Sequence, residues 1–238
     1  MTENSLCNRI KDFDYNYQAV LEKIEKASQR AGRNLNDISL LAATKTVPVE
    51  VIQHAVEQGI HYIGENRVQE YLDKYEHLKQ NCQHHFIGQL QTNKVKYLVG
   101  KVQCIESVDS VKVAKEISRL SEKGGLTTEI LVEVNIGHEE NKGGIFPEKL
   151  FDFIEEIRHY PALSIQGLMA IPPICKDLGR LSAFFSEMRQ YYVDIRAKKL
   201  DNVCMQRLSM GMSGDFELAI EYGANMVRLG SILFGSRK

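Results

Sequence analysis

The feature that most constrains the fold is a repeated alternation of short apolar runs with one-sided helical stretches. Eight runs are predicted as strands, at residues 38–44, 60–63, 84–87, 102–105, 129–135, 163–169, 203–208 and 225–229. Strands joined through helices run parallel, because a parallel pair needs a long crossover. Eight such units in 238 residues predict an α/β chain folded as a single (β/α)₈ TIM-type barrel, with a doubly wound open sheet as the alternative.

Helical periodicity fills the intervals between these strands, including predicted helices at residues 93–99 and 111–123. A further helix precedes the first strand, with apolar residues at helical spacing from Ile10 to Ala31 and Gly32 at its end, where a left-handed cap is favoured. No low-complexity stretch and no linker rich in Pro, Gly or Ser divides the chain. Residues 1–238 are therefore predicted to form one domain with an extra N-terminal helix.

Composition excludes several classes of function. Lys and Arg number 30 and Asp and Glu number 31, so the net charge of −1 lacks the basic footprint of a nucleic-acid-binding protein. No apolar stretch approaches the roughly 20 residues of a membrane helix, and the polar start has no apolar signal-peptide core. Five cysteines without a CxxC pair favour neither a disulfide framework nor a structural zinc site. We expect a cytoplasmic monomer with no nucleic-acid or membrane partner.

Two pairs of residues of metal-binding type are interpreted as structural residues and not as metal ligands. His84 and His85 are adjacent in a predicted strand, so they point to opposite faces and do not share one metal. Cys104 and Cys204 also fall in predicted strands and are expected to be buried core residues. We therefore expect no metal site.

Lys45 is the first candidate functional residue, because it directly follows the first predicted strand. Active sites of this kind of barrel lie at the carboxyl ends of the strands. An ammonium at the mouth of a packed barrel is costly to desolvate, which favours the neutral, nucleophilic amine. Lys45 is therefore a candidate Schiff-base lysine. The alternative is a solvated lysine that happens to end a strand.

Two clusters of small and hydroxylated residues follow the seventh and eighth strands. The first contains Ser209, Gly211 and Ser213, and the second contains Gly230 and Ser231. Small residues let the backbone approach an anion, and the loops after strands seven and eight are the usual phosphate site of this architecture. The two clusters together predict a phosphate site, with ordinary turns or helix caps as the alternative.

Arg228 and Asn66 each allow two interpretations. Arg228 ends the eighth strand, where its guanidinium could bind the phosphate or donate a hydrogen bond to a ring nitrogen, and a surface ion pair is the alternative. Asn66 follows the second strand, where it could contact a ligand or cap the next helix. The residues alone leave both questions open.

Ordered segments along nearly the whole chain carry a resemblance to a known family. They are ATKT at 43–46, GENRVQE at 64–70, HFIGQLQTNK at 85–94, VNI at 134–136, GLMA at 167–170, SMGMS at 209–213 and VRLGS at 227–231. With these segments the sequence resembles the pyridoxal-phosphate-binding homeostasis proteins, also called proline synthetase co-transcribed homologues. The resemblance implies a barrel like that of alanine racemase.

The resemblance also implies a cofactor and the residues that hold it. Lys45 matches the lysine that carries pyridoxal 5′-phosphate as an internal aldimine. Ser209, Gly230 and Ser231 match positions that hold the phosphate, and Arg228 matches the arginine that faces the pyridine nitrogen. Two further residues match positions that line the pocket, namely Asn66 and Met169.

The implied function is that of a cofactor holder in vitamin B6 homeostasis, without established turnover and not an enzyme. Arg228 only donates hydrogen bonds, so the ring nitrogen opposite it stays unprotonated and is a poorer electron sink. Racemases add an acid/base residue from a further β-domain, which we do not expect within these 238 residues. Apo-enzymes that use the cofactor are the implied partners. A racemase-like enzyme acting on amino acids and a Schiff-base aldolase are the alternatives.

Overall fold

A closed parallel barrel forms the centre of the chain in the computed structural model, which describes residues 3–78 and 82–235. Within these residues the strands are β1 Ser39–Ala43, β2 Tyr62–Glu65, β3 Gln83–Phe86, β4 Cys104–Val108, β5 Thr128–Val134, β6 Leu163–Ala170, β7 Val203–Ser209 and β8 Met226–Leu229. Each strand pairs with the next, and β8 pairs with β1 so that Arg228 lies opposite Leu41. The predicted barrel is confirmed, and the open sheet is excluded. Residues 1–2, 79–81 and 236–238, which the single-domain prediction includes, lie outside the described residues.

Helices surround the barrel in the order that the alternation predicts. In the described residues they are α1 Glu3–Arg30, α2 Val49–Glu57, α3 Val68–Leu78, α4 Val111–Lys123, α5 Leu150–Ile157, α6 Leu178–Ala197, α7 Phe216–Glu221 and α8 Ser231–Phe234. The stretch predicted as a helix at 93–99 is a 3-10 helix, Thr92–Tyr97. Among the described helices, none is long and apolar enough to cross a membrane.

The N-terminal helix α1 packs against the short helix α8 that follows β8. Its Phe13 is fully buried and stacks on Phe234 of α8, with the ring centroids 5.5 Å apart. The side-chain amide of Asn16 donates to the carbonyl of Leu233 at 3.1 Å. Gly32 follows α1 with φ +62°, the left-handed conformation that glycine adopts without strain. These contacts attach α1 to the loop that follows β8.

Apolar side chains form a large core between strands and helices and smaller clusters elsewhere in the sheet. Leu41, Ile87 and Met226 form one small cluster. Successive residues of a strand point to opposite faces, which separates such clusters from the outer core. His84 follows this rule, because it packs on Tyr71 at the outer face while the adjacent His85 faces the interior. The prediction that the two histidines point apart is confirmed.

The prediction for the two strand cysteines is half right. Cys104 is buried, as expected, but Cys204 is exposed. The next residue, Met205, has φ +43°, and the pairing of β6 with β7 shifts its register between Ile165 and Gly167. This irregular start of β7 places Cys204 on the solvent side, so its location in a strand did not imply burial.

Candidate functional site

A cleft of about 1140 Å³ lies where the strands β1, β7 and β8 end. Four parts of the chain line it: the first turns of α1, the residues that follow β1, the loop after β7 and the loop after β8. The predicted site residues that line the cleft are Lys45, Ser213, Arg228, Gly230 and Ser231. The structure therefore brings together the candidate amine, the guanidinium and both hydroxylated loops.

Lys45 lies on a fixed turn just after β1 and is half-buried. The residue before it, Thr44, donates its backbone N–H to the Gly64 carbonyl of β2 at 3.0 Å. The residue after it, Thr46, has φ +64° and donates its N–H to the carboxylate of Glu70. The backbone on both sides of Lys45 is thus held by neighbouring elements, which fixes where its side chain begins.

A buried ion cluster beneath this turn was not predicted from the sequence. Lys74 of α3 donates to Glu65 at 2.8 Å, to Glu70 at 2.7 Å and to the Thr44 carbonyl at 2.8 Å. The Thr44 hydroxyl also donates to Glu65 at 2.7 Å. Burial raises the pKa of Glu65 even though Lys74 acts to lower it. The only sequence signal was the spacing of Glu70 and Lys74 at i and i+4.

Arg228 belongs to a chain of buried polar groups that crosses the barrel interior. Its Nη1 donates to the Ser209 hydroxyl at 2.6 Å, and its Nη2 donates to the Ala170 carbonyl at 2.9 Å. The Ser209 hydroxyl donates to Glu106 at 2.6 Å, and the other oxygen of Glu106 lies 2.6 Å from His85 Nδ1. We call His85, Glu106, Ser209 and Arg228 the interior polar chain. It spans β3, β4, β7 and β8.

The interior polar chain balances a buried cation with a buried anion. Burial acts to raise the pKa of Glu106, but the hydrogen bond from His85 and the nearby charge of Arg228 hold it below its ordinary value. Burial lowers the pKa of Arg228, while Glu106, Glu133 and Asp215 act to raise it. An arginine remains charged under these conditions. The cleft therefore has a fixed positive charge in its floor.

A second carboxylate near Arg228 titrates close to neutrality. Burial and the neighbouring Asp109 raise the pKa of Glu133 to about 7, and Arg228 acts against this rise. Asp109 is itself held by the backbone N–H of Gly144, which donates to its carboxylate at 3.3 Å. Glu133 is thus a group whose charge changes near physiological pH.

The loops after β7 and β8 are joined to each other by Ser213. Its hydroxyl accepts hydrogen bonds from the backbone N–H groups of Gly230 and Ile232, each at 3.3 Å. Gly211 has φ +92°, and a Cβ there would lie 2.6 Å from Ala219 of α7. The hydrogen bonds to Ser213 hold the loop after β8 against the loop after β7. Ser213 of the first predicted cluster and Gly230 and Ser231 of the second therefore form one wall of the cleft.

Four predicted site residues lie away from the cleft lining. Ser209 is fully buried and its hydroxyl is engaged by Glu106 and Arg228, while Met169 is fully buried beside Cys104 and Leu131. The other two are Gly211, which packs on α7, and Asn66. Within the described residues, the Asn66 Oδ1 is buried and has no hydrogen-bond partner. Direct contacts of these residues with a cofactor stay predictions.

Comparisons with known proteins place this barrel in a family. The model of the alanine racemase N-terminal domain matches residues 15–238. The pyridoxal phosphate homeostasis protein of Aquifex aeolicus is 48% identical over 220 residues, which are 92% of this chain and 96% of that protein.

Solved structures agree with this placement. The crystal structure of an unknown protein from Bifidobacterium adolescentis has a TM-score of 0.92 and 36% identity, covering 95% of this chain and 96% of its own. PipY from Synechococcus elongatus, solved with PLP bound, has a TM-score of 0.78 and 28% identity, covering 90% of this chain and 100% of its own. The extent and identity of these matches show that the chain belongs to the family of pyridoxal phosphate homeostasis proteins, which share the barrel of the alanine racemase N-terminal domain.

Proposed function

We propose that this protein binds pyridoxal 5′-phosphate through a Schiff base to Lys45 and serves the homeostasis of that cofactor in the cytosol. The observation that carries the proposal is the shared cleft, in which Lys45, Arg228 and the Ser213, Gly230 and Ser231 wall face the same space. The PLP bound to the related PipY and the name of the Aquifex aeolicus relative support it.

The residues of the cleft fit the chemistry of this cofactor. Lys45 supplies a primary amine, and the loop of Ser213 and Ser231 supplies hydroxyl groups beside backbone N–H groups. A Cβ at Gly230 would lie 3.4 Å from the Ala43 carbonyl, so glycine keeps open the space between the loop and β1.

The role of each group follows from its chemistry. When bound, the cofactor supplies an aldehyde that condenses reversibly with amines. Lys45 would hold the aldehyde carbon, on a turn that Thr44 and Thr46 keep in place. Arg228 would be the hydrogen-bond donor to the ring nitrogen, and its bonds to Ser209 and the Ala170 carbonyl prevent the guanidinium from turning away. The hydroxylated loops would bind the phosphate.

A holding role is proposed in preference to catalysis, because a cationic arginine cannot protonate the ring nitrogen. An unprotonated ring is a weak electron sink for the carbanion that amino-acid chemistry requires. The protein would store the reactive aldehyde and release it to apo-enzymes that use it. Its relatives are named pyridoxal phosphate homeostasis proteins, which supports a holding role.

The central experiment is reduction of the purified, cofactor-loaded protein with borohydride, followed by peptide mapping. Borohydride adds hydride to the carbon of the Schiff base and converts the linkage to a stable secondary amine. We expect the label on the peptide that contains Lys45 and none in Lys45→Ala. Lys94→Ala is the matched control, since Lys94 is an exposed lysine outside the cleft.

Two readouts keep the experiment interpretable. Circular dichroism should show that Lys45→Ala folds like the wild type, because this half-buried side chain is not part of the apolar core. Undiminished labelling in Lys45→Ala would assign the linkage to another lysine and overturn the proposal.

A further inference from the structure

The first three turns of α1 form one wall of the cleft. Five of its residues line the same space as the hydroxylated loops, namely Asn4, Ser5, Asn8, Arg9 and Asp12. All five precede residue 15, where the match to the racemase N-terminal domain begins. The part of the chain that matches the racemase domain therefore includes Lys45 and Arg228 but not this wall.

Packing fixes the direction in which this wall faces. Phe13 is fully buried and stacks on Phe234, which belongs to the short helix that starts at Ser231. Residues four apart lie on the same face of a helix. Arg9 precedes Phe13 by four residues, so it lies on the face of α1 that meets the loop after β8. The side chain of Arg9 is half-buried there.

Arg9 and Arg228 both line the cleft, but they differ in their hydrogen-bond and ion-pair partners. Arg228 donates to Ser209 and to the Ala170 carbonyl and lies beside Glu106. Arg9, by contrast, has no carboxylate in an ion pair with it among residues 3–78 and 82–235. A guanidinium binds phosphate oxygens through paired, charge-assisted hydrogen bonds, and partial burial strengthens such bonds. Arg9 therefore has the chemistry and the place to bind an anion held by the loops after β7 and β8.

We propose that Arg9 binds the phosphate group of the cofactor from the α1 side of the cleft. The proposal rests on the function proposed above and assigns a specificity role to a segment that precedes the match to the racemase N-terminal domain. Arg9 completes the phosphate subsite beside Ser213 and Ser231, so that both α1 and the loops hold the group. The wall favours phosphorylated over unphosphorylated vitamers.

The test compares Arg9→Gln with the wild type in spectroscopic titrations with pyridoxal 5′-phosphate and with pyridoxal. Lys11→Gln is the matched control, because Lys11 is an exposed cation of the same helix that does not line the cleft. We expect Arg9→Gln to bind pyridoxal 5′-phosphate about tenfold more weakly, as loss of one charge-assisted hydrogen bond implies. Its affinity for pyridoxal should be unchanged, and Lys11→Gln should match the wild type for both ligands.

Competition with inorganic phosphate separates recognition of the phosphate from recognition of the ring. Inorganic phosphate should displace pyridoxal 5′-phosphate from the wild type at a lower concentration than from Arg9→Gln. Equal affinities of Arg9→Gln and wild type for pyridoxal 5′-phosphate would overturn the assignment, as would an equal loss for both ligands.

Borohydride labelling of Lys45 at saturating cofactor distinguishes this proposal from the function on which it rests. If Lys45 is labelled and Arg9→Gln binds normally, only the role of Arg9 is wrong. If Lys45 is not labelled in the wild type, the proposed function itself fails.

Discussion

Arg228 is a buried charge whose partners offset the cost of removing it from water. A single buried ion is costly because it leaves water, and the cost is offset only when an opposite charge and further hydrogen bonds meet it. Glu106 supplies the charge, and Ser209 and the Ala170 carbonyl supply the hydrogen bonds. The guanidinium is therefore fixed in both place and protonation. A ring nitrogen opposite such a group meets a donor at every ordinary pH.

Glu133 leads to a prediction about pH and stability. Its pKa is about 7 in the native protein, against an ordinary value of 4.5, so the native state binds more protons than the unfolded state between these values. The free energy of unfolding therefore falls as pH rises from about 4.5 to 7. We expect Glu133→Gln to be more stable than the wild type at pH 8, by roughly 3 kcal/mol. At pH 5 the gain should be small.

Urea denaturation of both proteins at pH 5 and pH 8 measures this difference. Glu140→Gln serves as the control, because Glu140 is an exposed carboxylate. If Glu133→Gln changes the free energy of unfolding by the same amount at both pH values, ionisation of Glu133 does not destabilise the native protein.

At the scale of elements, the sequence predicted the order of strands and helices better than the ends of two strands. The helix predicted at 111–123 is α4 with the same bounds. The strand predicted at 60–63 is instead Tyr62–Glu65, and the one predicted at 102–105 is Cys104–Val108. Both observed strands extend into buried polar residues, where a criterion based on apolar runs stops too early. Glu65 and Glu106 are such residues.

The same physical reason explains which parts of the candidate site were predictable. Lys45 and the two loops were found because glycine, serine and lysine stand out at the ends of apolar strands. The partners that hold them were missed, since a Glu inside a strand or a Lys on a helix is ordinary in sequence. Only the fold brings Lys74 to Glu65 and Glu106 to Arg228.

The ion cluster between α3 and the end of β1 leads to a prediction at this scale. Lys74→Met removes the only cation that hydrogen-bonds Glu65 among the described residues. Breaking a buried pair by removing one partner costs about 3–5 kcal/mol, so we expect a destabilisation of about 3 kcal/mol. The turn that carries Lys45 should also loosen, which slows labelling of Lys45 by cofactor and borohydride.

Thermal denaturation and the rate of labelling measure these two effects of Lys74→Met. The control is Lys115→Met, since Lys115 is an exposed lysine on α4. Wild-type stability together with a wild-type labelling rate would mean that the cluster does not support the turn.

At the scale of the whole molecule, the family match identifies the barrel with one domain of a larger kind of enzyme. The matching model describes the N-terminal domain of alanine racemase, and it spans residues 15–238 of this chain. Racemisation needs proton-transfer groups on both faces of the α-carbon, each typically contributing about 10²–10⁴-fold. Under the proposed function Lys45 would serve one face, while racemases draw on a further domain for the other.

We therefore expect amino acids to exchange onto the bound cofactor without turnover. Added alanine should shift the visible absorbance of the loaded protein. In deuterated water its α-proton should exchange at a rate no higher than with the Lys45→Ala variant. Proton NMR of the amino acid measures this rate. Rapid α-deuteration over many turnovers would make the protein a racemase-like enzyme.

The interior polar chain also has a consequence for how such a barrel can change during evolution. Its four residues come from β3, β4, β7 and β8, so they are far apart in the gene but adjacent in space. Replacing Glu106 alone would leave the buried cation of Arg228 without its anion. Replacing Arg228 alone would leave the buried anion of Glu106 without its cation. Viable descendants are those in which these positions change together. We expect an alignment of relatives to show His85, Glu106, Ser209 and Arg228 inherited as one unit, with strand-to-strand compensation wherever any member differs.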